Sequence, residues 1–299
     1  MNLLGMGDLS KKQIFEILDI AERMKKEEDF GKPLSGKTLA MLFEKPSTRT
    51  RVSFEVAMAQ LGGHAIYLDF VGTQISRGET MADTARVLSR YVDAITARLY
   101  KHADLEEIAQ NSTIPVINAL TELEHPCQII GDLLTIREKK GEFEGKKIVF
   151  VGDVACNVAN SLMIGAATVG MDVTLVGPIG AFPPNKKIVQ LAKRRGKVEI
   201  TDQLEGVKDA DIVYTDVWVS MGFEAERAER LKAFVPYQVN KSLMKRAKKN
   251  AIVMHCLPAH RGLEITSDVL DSKQSVVIDQ AENRLHTEKA LLLYLLCKK

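Results

Sequence analysis

Hydrophobic and polar positions along this chain switch repeatedly between two periods. Short apolar runs, typical of buried parallel strands, are each followed by a segment with the spacing of an amphipathic helix. The first such run is Thr38–Phe43, and the helical segment after it places Val52, Val56 and Ala59 on one face. Ser47, which stands between the two, is a natural N-cap for that helix. The pattern therefore predicts a strand, a short turn and a helix.

The same alternation continues to the end of the chain. A capping box of Ser10 and Gln13 opens a first helix, with an apolar stripe at Ile14, Ile17, Leu18, Ala21 and Met24. Further strands are predicted at His64–Phe70, Ala94–Ala97, Ile114–Asn118, Ile148–Val151, Asp172–Val176, Val198–Thr201, Ile212–Thr215, Ile252–His255 and Val276–Asp279. Further helices are predicted at Thr80–Tyr91, Leu105–Ala109, His125–Lys139, Val158–Val169, Lys186–Arg195, Lys241–Ala247 and Ala281–Leu296. Regular alternation of this kind predicts parallel sheets covered by helices.

A charged, glycine-containing stretch at 137–147 divides the pattern in two. We expect a first domain at 1–140, joined by the C-terminal helix at 281–299, and a second domain at 141–280. The expected fold class is α/β, with two doubly wound parallel-sheet domains. The active site is expected in the cleft between them, with the C-terminal helix packing back on the first domain.

Composition excludes several classes of function. The chain has 299 residues, 45% of them hydrophobic and 27% charged, as in ordinary globular proteins. A net charge of +2 and 6% aromatic residues indicate no nucleic-acid or membrane partner. The four cysteines (Cys127, Cys156, Cys256 and Cys297) fit neither a disulfide framework nor a zinc pattern. The N-terminus has no signal-peptide pattern, and we expect a reduced, cytoplasmic enzyme.

The turn after the first strand carries Ser47, Thr48, Arg49 and Thr50. Free backbone N–H groups, the positive end of a helix dipole, hydroxyl donors and a guanidinium together favour a phosphate. An ordinary helix cap beside solvated arginines is the competing interpretation of this turn alone.

Polar side chains also recur where the other predicted strands end, which is where open parallel sheets bind ligands. Arg98 closes a buried strand, a costly place for a cation unless it meets an anion. His125 and Gln128 lie within one helical turn and suit a carbonyl oxygen and its amino group. Asn157 follows a turn that lacks the second glycine of a dinucleotide site, which favours a polar substrate contact. Each residue alone also has an ordinary structural explanation. The inference of a ligand site therefore rests on the recurrence of polar residues at several strand ends.

Asp216 ends another predicted strand and precedes a turn with Ser220 and Met221 that finishes at Gly222. A carboxylate followed by such a turn suits an α-amino acid, because the carboxylate pairs with its ammonium group. A structural Asx-turn is the alternative.

The last polar cluster, at 255–261, contains His255, Cys256 and Arg261. A cysteine phosphatase is suggested, but the spacing from Cys256 to Arg261 is one residue too short for a phosphate loop. Zinc is disfavoured because His255 and Cys256 alternate faces if the strand continues. A buried, inert thiol remains an open interpretation for Cys256.

Taken together, these motifs resemble those of the aspartate/ornithine carbamoyltransferase family, and most closely its ornithine-acting members. The resemblance covers essentially the whole chain and rests on Ser47-Thr48-Arg49-Thr50, His125-Pro126-Cys127-Gln128, Asp216…Ser220-Met221-Gly222, His255-Cys256-Leu257-Pro258 and Glu282-Asn283-Arg284. It implies transfer of the carbamoyl group of carbamoyl phosphate to the side-chain amine of L-ornithine, giving L-citrulline and phosphate in arginine metabolism. No metal or organic cofactor is implied.

The resemblance also implies residue roles. Contacts to carbamoyl phosphate would come from Ser47, Thr48, Arg49, Thr50, Gln74, Arg98, His125, Gln128, Cys256, Leu257 and Arg284. Contacts to ornithine would come from Asn157, Asp216, Ser220 and Met221. Arg98 and His125 would stabilise the oxyanion, while Asp216 and Cys256 would orient the amine and help it lose its proton. Gln74 is similar to the glutamine that the family lends to a neighbouring subunit, which implies a homotrimer or a multiple of trimers.

The choice of amine depends on the run Cys256-Leu257-Pro258-Ala259, which has a thiol where aspartate-acting members have a turn followed by an arginine. A thiol beside Asp216 favours an amine over a second carboxylate. Putrescine and N-acetylornithine remain alternatives, since one loop decides recognition of the α-group. Cys156 stands where many members of the family have asparagine. The resemblance therefore does not determine the pocket wall beside the amino acid. A cysteine phosphatase and a non-catalytic phosphometabolite-binding module are the rivals from other classes.

Overall fold

The computed structural model describes residues 1–26, 30–220, 222 and 224–297. The chain forms two compact units, each built on one parallel sheet. The first unit comprises Met1–Leu134 and the residues from Glu282 onward, and the second comprises Thr135–Ala281. The α/β class with two parallel sheets is therefore confirmed. The boundary lies inside a continuous helix, a few residues before the expected division at 140.

The first unit contains a four-stranded sheet. Strands β1–β4 are Thr38–Phe43, His64–Asp69, Ala94–Arg98 and Val116–Leu120, in the spatial order β2-β1-β3-β4. Helices α1–α5 are Lys11–Lys25, Arg49–Gln60, Met81–Leu88, His102–Asn111 and Pro126–Lys140. Single 3-10 turns occur at Met6–Asp8, Phe70–Gly72 and Gln74–Arg77. The N-terminal segment extends the sheet through a parallel bridge between Leu3 and Ile117.

The second unit contains a five-stranded sheet. Strands β5–β9 are Lys147–Val151, Asp172–Val176, Val198–Thr201, Ile212–Thr215 and Ile252–His255, in the order β7-β6-β5-β8-β9. Helices α6–α11 are Asn157–Val169, Lys186–Arg195, Arg227–Phe234, Lys241–Met244, Ser267–Leu270 and Val277–Cys297, and 3-10 turns occur at Leu204–Val207, Glu224–Glu226 and Val235–Tyr237. The last helix, α11, begins in the second unit and ends in the first.

The predicted start of α1 is confirmed in detail. Ser10 Oγ accepts a hydrogen bond from the Gln13 backbone N–H, and Gln13 Oε1 accepts one from the Ser10 N–H. The predicted stripe is the buried face of this helix, namely Ile14, Ile17, Leu18, Ala21 and Met24. Local capping and apolar periodicity were sufficient here because they agree with each other.

The sequence pattern predicted the wrong buried face for α2. Val52 is 51% exposed, whereas Phe54, Ala57 and Met58 are buried. Both sets have helical spacing, and the larger aromatic side chain of Phe54 buries more apolar area than Val52. The helix begins at Arg49, so its N-cap position is Thr48, one residue after the predicted Ser47. Ser47 Oγ nevertheless accepts from the Thr50 N–H at 3.2 Å.

The predicted strand at Val276–Asp279 is also wrong. Only Ser275 forms a bridge, to Val253, and α11 begins at Val277. The Gln280 N–H already donates to the Val276 carbonyl, an i to i−4 bond. The β-branched run is too short to outweigh a long helix that continues to Cys297.

The sheets bring the predicted strand-end residues to common edges. Phe43 pairs in register with Arg98, and Arg98 with Leu120, so the turns after β1, β3 and β4 adjoin. In the second unit Thr215 pairs with His255, which sets Asp216 beside Cys256. Parallel pairing thereby assembles residues that are far apart in the chain.

Within the described ranges, every helix falls short of the length and apolar character needed to cross a membrane.

Candidate active site

The turn between β1 and α2 carries the residues that the sequence predicts to bind phosphate in the first unit. The Glu44 N–H donates to the Arg98 carbonyl at 2.9 Å, which fixes the turn against the end of β3. Thr50 is buried and Arg49 is half-buried. Lys45, only 4% exposed, lies with Nζ 4.4 Å from the centre of the Tyr100 ring, so another cation adjoins the turn. The turn thus combines a helix N-terminus, hydroxyls and cations, as an anion requires.

Arg284 bonds two of the other predicted ligands. Its Nη1 donates to Gln128 Oε1 at 2.8 Å, and its Nη2 donates to Thr50 Oγ1 at 3.2 Å. Gln128 Nε2 donates to Asp132 Oδ1 at 2.8 Å, which fixes the orientation of the amide. Gln128 Oε1 has a second lone pair with which to accept from an amino group. The structure therefore gathers Thr50, Gln128 and Arg284 at one place, although they are remote in sequence.

His125 precedes α5 and is buried, with 5% exposure. Burial lowers the pKa of His125 well below its ordinary value, and the guanidinium groups of Arg284, Arg98 and Arg49 lower it further. The ring is therefore neutral near pH 7, so it offers an N–H donor without adding charge. The charges of all three arginines act on this one imidazole.

The backbone before His125 is held by the N-terminal segment. Glu124 Oε2 accepts from the Met6 N–H at 2.9 Å, and Asn118 Nδ2 donates to the Leu4 carbonyl at 2.7 Å. A Cβ at Gly5 would lie 2.2 Å from Glu124 Oε1, so only glycine leaves room for this carboxylate. The turn that carries His125 consequently depends on residues at the start of the chain.

Gln74 lies apart from this group. It is exposed on the 3-10 turn Gln74–Arg77. An exposed polar residue fits the expected role in a neighbouring subunit's site, and that role remains a prediction.

In the second unit, Asp216 and Cys256 contact each other directly. Cys256 Sγ donates to Asp216 Oδ1 at 3.0 Å, and the Val217 N–H donates to the same oxygen at 2.8 Å. Burial raises the pKa of Asp216, while His255, the thiol and the Val217 N–H lower it in part. A buried carboxylate with a raised pKa is suited to exchange a proton with an amine.

His255 fixes the backbone of the next residues. Its Nδ1 accepts from the Leu257 N–H at 2.8 Å, which leaves the proton on Nε2 for a 3.1 Å hydrogen bond to Glu264 Oε1. His255 and Glu264 are fully buried. Leu257 has a φ of 56°, a left-handed conformation that leucine rarely adopts without outside support. The buried pair holds the Cys256-Leu257 segment in this conformation.

Asp216, His255 and Cys256 offer ligand atoms within 4.8 Å of one another, a grouping that can hold a metal ion. Both ring nitrogens of His255 already have partners, namely the Leu257 N–H and Glu264. A metal would have to displace one of these bonds and the thiol's bond to Asp216. The donor set therefore fits a hydrogen-bonded proton network better than a metal centre.

Asn157 is the first residue of α6, and the cap of that helix is Cys156. Cys156 Sγ accepts from the Ala159 N–H at 3.4 Å. The thiol therefore takes the capping position and Asn157 does not. Burial raises the pKa of Cys156 well above its ordinary value, and the carboxylates of Asp153 and Asp216 raise it further.

The segment after Asp216 contains Ser220, which is half-buried, while Met221 lies outside the described residues. The segment is fastened by Arg230, whose Nη1 donates to Asp153 Oδ2 at 2.7 Å and to the Trp218 carbonyl at 3.3 Å. Both charged groups are at least nine-tenths buried. This ion pair connects α8 to the β5–α6 turn and holds the segment in place.

Sequence reasoning missed three contributors to these sites. Glu264 has no motif of its own and is found only through His255. Glu288 contacts Arg284 at the i,i+4 spacing of a helix, a signal that could have been used. Arg230 belongs to no motif in the sequence, although it is only 5% exposed.

Comparisons with known proteins agree with this geometry. Residues 1–138 match the carbamoyl-P binding domain of aspartate/ornithine carbamoyltransferases, and residues 144–295 match their Asp/Orn binding domain. The anabolic ornithine carbamoyltransferase of Pyrococcus furiosus is 55% identical over 300 residues, covering 97% of this chain and 95% of that protein.

Two solved structures are informative. The Pyrococcus furiosus ornithine carbamoyltransferase has a TM-score of 0.95 at 53% identity, covering 100% of this chain and 97% of that one. An acetylornithine transcarbamylase complexed with acetylcitrulline has a TM-score of 0.88 at 32% identity, covering 99% of each chain. Similarity in fold thus extends to relatives with different amines, while sequence similarity is higher to the ornithine enzyme.

Proposed function

The chain belongs to the aspartate/ornithine carbamoyltransferase family, and from this premise we propose that it transfers the carbamoyl group of carbamoyl phosphate to the δ-amine of L-ornithine, giving L-citrulline and phosphate. The anabolic relative supports a place in arginine biosynthesis. The observation that carries the proposal is the Arg284 guanidinium bonded to both Thr50 and Gln128, beside a neutral His125.

The first unit is proposed to bind carbamoyl phosphate. Ser47, Thr48, Arg49 and Thr50 would hold its phosphate through hydroxyls, backbone N–H groups and a guanidinium. Arg284 would contribute from α11, and Gln128 Oε1 would accept from the carbamoyl amino group. Cys256 and Leu257 are the remaining proposed contacts to carbamoyl phosphate.

Arg98 and His125 are proposed to bind the carbamoyl oxygen. When the amine attacks the carbamoyl carbon, this oxygen becomes an oxyanion, and phosphate leaves when the tetrahedral intermediate collapses. Each preorganised donor contributes roughly 3 kcal/mol of transition-state stabilisation. A neutral His125 keeps its proton and is therefore a donor throughout the reaction.

The second unit is proposed to bind the amino acid through Asn157, Asp216, Ser220 and Met221. Only a neutral amine can attack, so the δ-ammonium must first lose a proton. The Cys256 thiol and the Asp216 carboxylate, 3.0 Å apart, are the groups suited to orient the amine and take that proton. His255 and Glu264 position the thiol by fixing the Leu257 backbone.

The amine substrate is proposed to be ornithine rather than aspartate, whose side chain bears a second carboxylate. Aspartate would bring a second carboxylate next to Asp216, where buried like charges repel strongly. Identities of 52–55% to proteins named ornithine carbamoyltransferase exceed the 32% identity to the acetylornithine enzyme. Putrescine and N-acetylornithine are therefore the comparison substrates in the test.

The proposal also covers the assembly of the chain and its location in the cell. Gln74 would complete a neighbouring subunit's site in a homotrimer or a multiple of trimers, and its exposure on the Gln74–Arg77 turn supports this. A cytoplasmic location is supported by the four free cysteines, one of which takes part in the proposed chemistry.

One assay tests the function. The protein is incubated with carbamoyl phosphate and ornithine, N-acetylornithine, putrescine or aspartate in turn, and ureido product and phosphate are measured. We expect ornithine to give the highest kcat/KM and Arg49→Ala to abolish activity. Higher activity with another amine would reassign the substrate, and a fully active Arg49→Ala enzyme would reject the phosphate site.

The same preparation separates the rival classes. A cysteine phosphatase would hydrolyse an aryl phosphate and lose that activity in Cys256→Ser. A binding module would bind carbamoyl phosphate and form no ureido product from any amine.

A further inference from the structure

We propose that Glu288 is a positioning residue that sets the phosphate affinity of the first unit: its carboxylate holds Arg284 and offsets part of its charge, so that product phosphate leaves readily. The inference rests on the proposed function, because it assigns Glu288 a role at the same phosphate site.

One oxygen of Glu288 takes two bonds from the guanidinium. Glu288 Oε1 accepts from Arg284 Nη2 at 2.6 Å and from Arg284 Nε at 3.0 Å. The side chains are 1% and 4% exposed, so water screens this pair very little. The orientation of Arg284 is therefore set by Glu288 from within the same helix.

The other bonds of Arg284 point to the phosphate turn and to α5. Nη1 donates to Gln128 Oε1, and Nη2 also donates to Thr50 Oγ1. The four bonds occupy four of the five N–H groups of a guanidinium. A phosphate at the turn competes with Thr50 and Gln128 for these donors, whereas the bonds to Glu288 lie on the helix side and can persist.

The charge balance explains why a carboxylate is useful here. Arg49 and the buried Lys45 belong to the phosphate turn, and Arg284 donates to Thr50 of the same turn. Several cations therefore lie where a single phosphate is proposed to bind. A buried dianion among uncompensated guanidiniums is bound strongly and released slowly. Glu288 reduces this attraction, and a product that must leave in every cycle benefits from the reduction.

Other polar and titratable groups lie around the pair of Glu288 and Arg284. Ser53 Oγ on α2 donates to the Thr50 carbonyl at 3.3 Å, and on α5 the Asp132 carboxylate acts on Arg284. Burial raises the pKa of the Cys127 thiol, and burial lowers the pKa of His125, so both are neutral near pH 7. Burial also raises the pKa of Glu288, and Arg284 opposes the rise. Glu288 is thus a carboxyl group bonded to Arg284 whose charge is lost as the pH falls.

The test compares Glu288→Gln with the unchanged enzyme. Calorimetric titration with inorganic sulfate measures anion affinity, and inhibition by inorganic phosphate against carbamoyl phosphate shows that the anion occupies the substrate site. We expect Glu288→Gln to bind sulfate about tenfold more tightly and to lower both the KM for carbamoyl phosphate and kcat, as slow product release predicts.

The pH profile gives a readout that a purely structural role would not move. Sulfate keeps its double charge over the range used, so its affinity for the unchanged enzyme should rise as the pH falls and Glu288 gains a proton. The slope should be shallower in Glu288→Gln, which has no carboxyl group to protonate. Equal slopes in the two proteins would contradict the proposal.

Two further variants control the comparison. Glu55→Gln removes an exposed carboxylate that pairs with Arg51 at the same i,i+4 spacing on α2, and it should leave sulfate affinity unchanged. Glu288→Asp keeps the charge and should bind sulfate with nearly the original affinity. If Glu288→Gln and Glu288→Asp both bind sulfate more weakly, Glu288 only supports the fold and the proposal is overturned.

Should Glu288→Gln fail to fold, the unchanged enzyme and Glu288→Asp carry the test. Both keep a carboxyl group that can gain a proton, so sulfate affinity should rise in both as the pH falls; a flat profile in both overturns the proposal. Sulfate binding is measured without any amine, so the role of Glu288 can stand even if no citrulline forms, and the reverse also holds.

Discussion

The thiol of Cys256 donates a hydrogen bond to Oδ1 of Asp216 across 3.0 Å, although the two residues are forty positions apart in the chain. Strands β8 and β9 pair in register at Thr215 and His255, so the following residue of each strand is brought to the same edge. This contact joins the carboxylate that is proposed to pair with the ammonium ion to a thiol that is proposed to help it lose its proton. It makes the amine half of the proposed reaction testable.

Removing the charge of Asp216 should abolish most turnover. We expect Asp216→Asn to lower kcat by roughly 100-fold or more, because the amine loses its buried carboxylate partner. Cys256→Ser retains a donor to Asp216 and should lose less activity than Cys256→Ala. Steady-state kinetics with ornithine provide the measurement.

A matched control is Asp172→Asn, which removes an exposed pair with Lys197 in the same unit. It should leave kcat within about twofold, since exposed ion pairs contribute little. Equal losses in the two Asp-to-Asn variants would show that Asp216 has no special part in the reaction.

His125 should make the folded state less stable at acidic pH. Burial lowers its folded-state pKa well below 6.5, so below that pH the unfolded chain binds the proton first and stability falls as the pH falls. His125→Gln removes this contribution, and its apparent unfolding free energy should depend less on pH between the lowered pKa and 6.5.

The readout is the difference between the two proteins in urea unfolding across that range. Burial also lowers the pKa values of His102 and His286, which add a slope of the same sign to both proteins. An identical pH dependence in His125→Gln would mean that His125 titrates normally.

A single methyl group at Gly5 should disturb the turn that carries His125. The new Cβ would lie 2.2 Å from Glu124 Oε1, so Gly5→Ala must displace the carboxylate from the Met6 N–H. The φ of Gly5 is −153°, which alanine adopts freely, so the cost is steric. We expect a loss of about 1–3 kcal/mol in unfolding free energy and a lower kcat.

Gly180→Ala is the control, because a Cβ there has open space around it and no positive φ. It should match the unchanged protein in thermal unfolding and in citrulline formation. If Gly5→Ala also matches the unchanged protein in both measurements, the N-terminal segment does not position His125.

Breaking the buried pair of Arg230 and Asp153 should impair binding of ornithine rather than of carbamoyl phosphate. The pair fastens the segment that follows Asp216, through the Trp218 carbonyl as well as through Asp153. Asp153→Asn leaves the buried guanidinium with the partly exposed Glu226 as its remaining ion-pair partner and should cost about 1–3 kcal/mol of stability. We expect the KM for ornithine to rise several-fold while the KM for carbamoyl phosphate changes little.

The test measures both KM values in Asp153→Asn and in Lys241→Met, which breaks an exposed pair with Asp268 elsewhere in the same unit. A rise in the KM for carbamoyl phosphate equal to that for ornithine would show general loss of structure and would remove the specific role of the pair.

The sequence by itself determined the order of elements and indicated the candidate residues of the site. Parallel strands have apolar runs and end at fixed points, so the residues that follow them, such as Thr50, His125 and Asp216, can be read from the chain. The same reasoning failed at Val276–Asp279 and on the buried face of α2, where two patterns were compatible with the residues and only packing selects between them.

Only the tertiary structure decided the partners of these residues. Glu264 meets His255, Glu288 holds Arg284, Glu124 rests on Gly5 and Met6, and Asp153 pairs with Arg230. Three of these four contacts join residues on different elements, whose distance in space is set by strand register and helix packing and not by spacing in the chain. Protonation and charge at a site depend on exactly those distances and on burial, so they are properties of the folded chain.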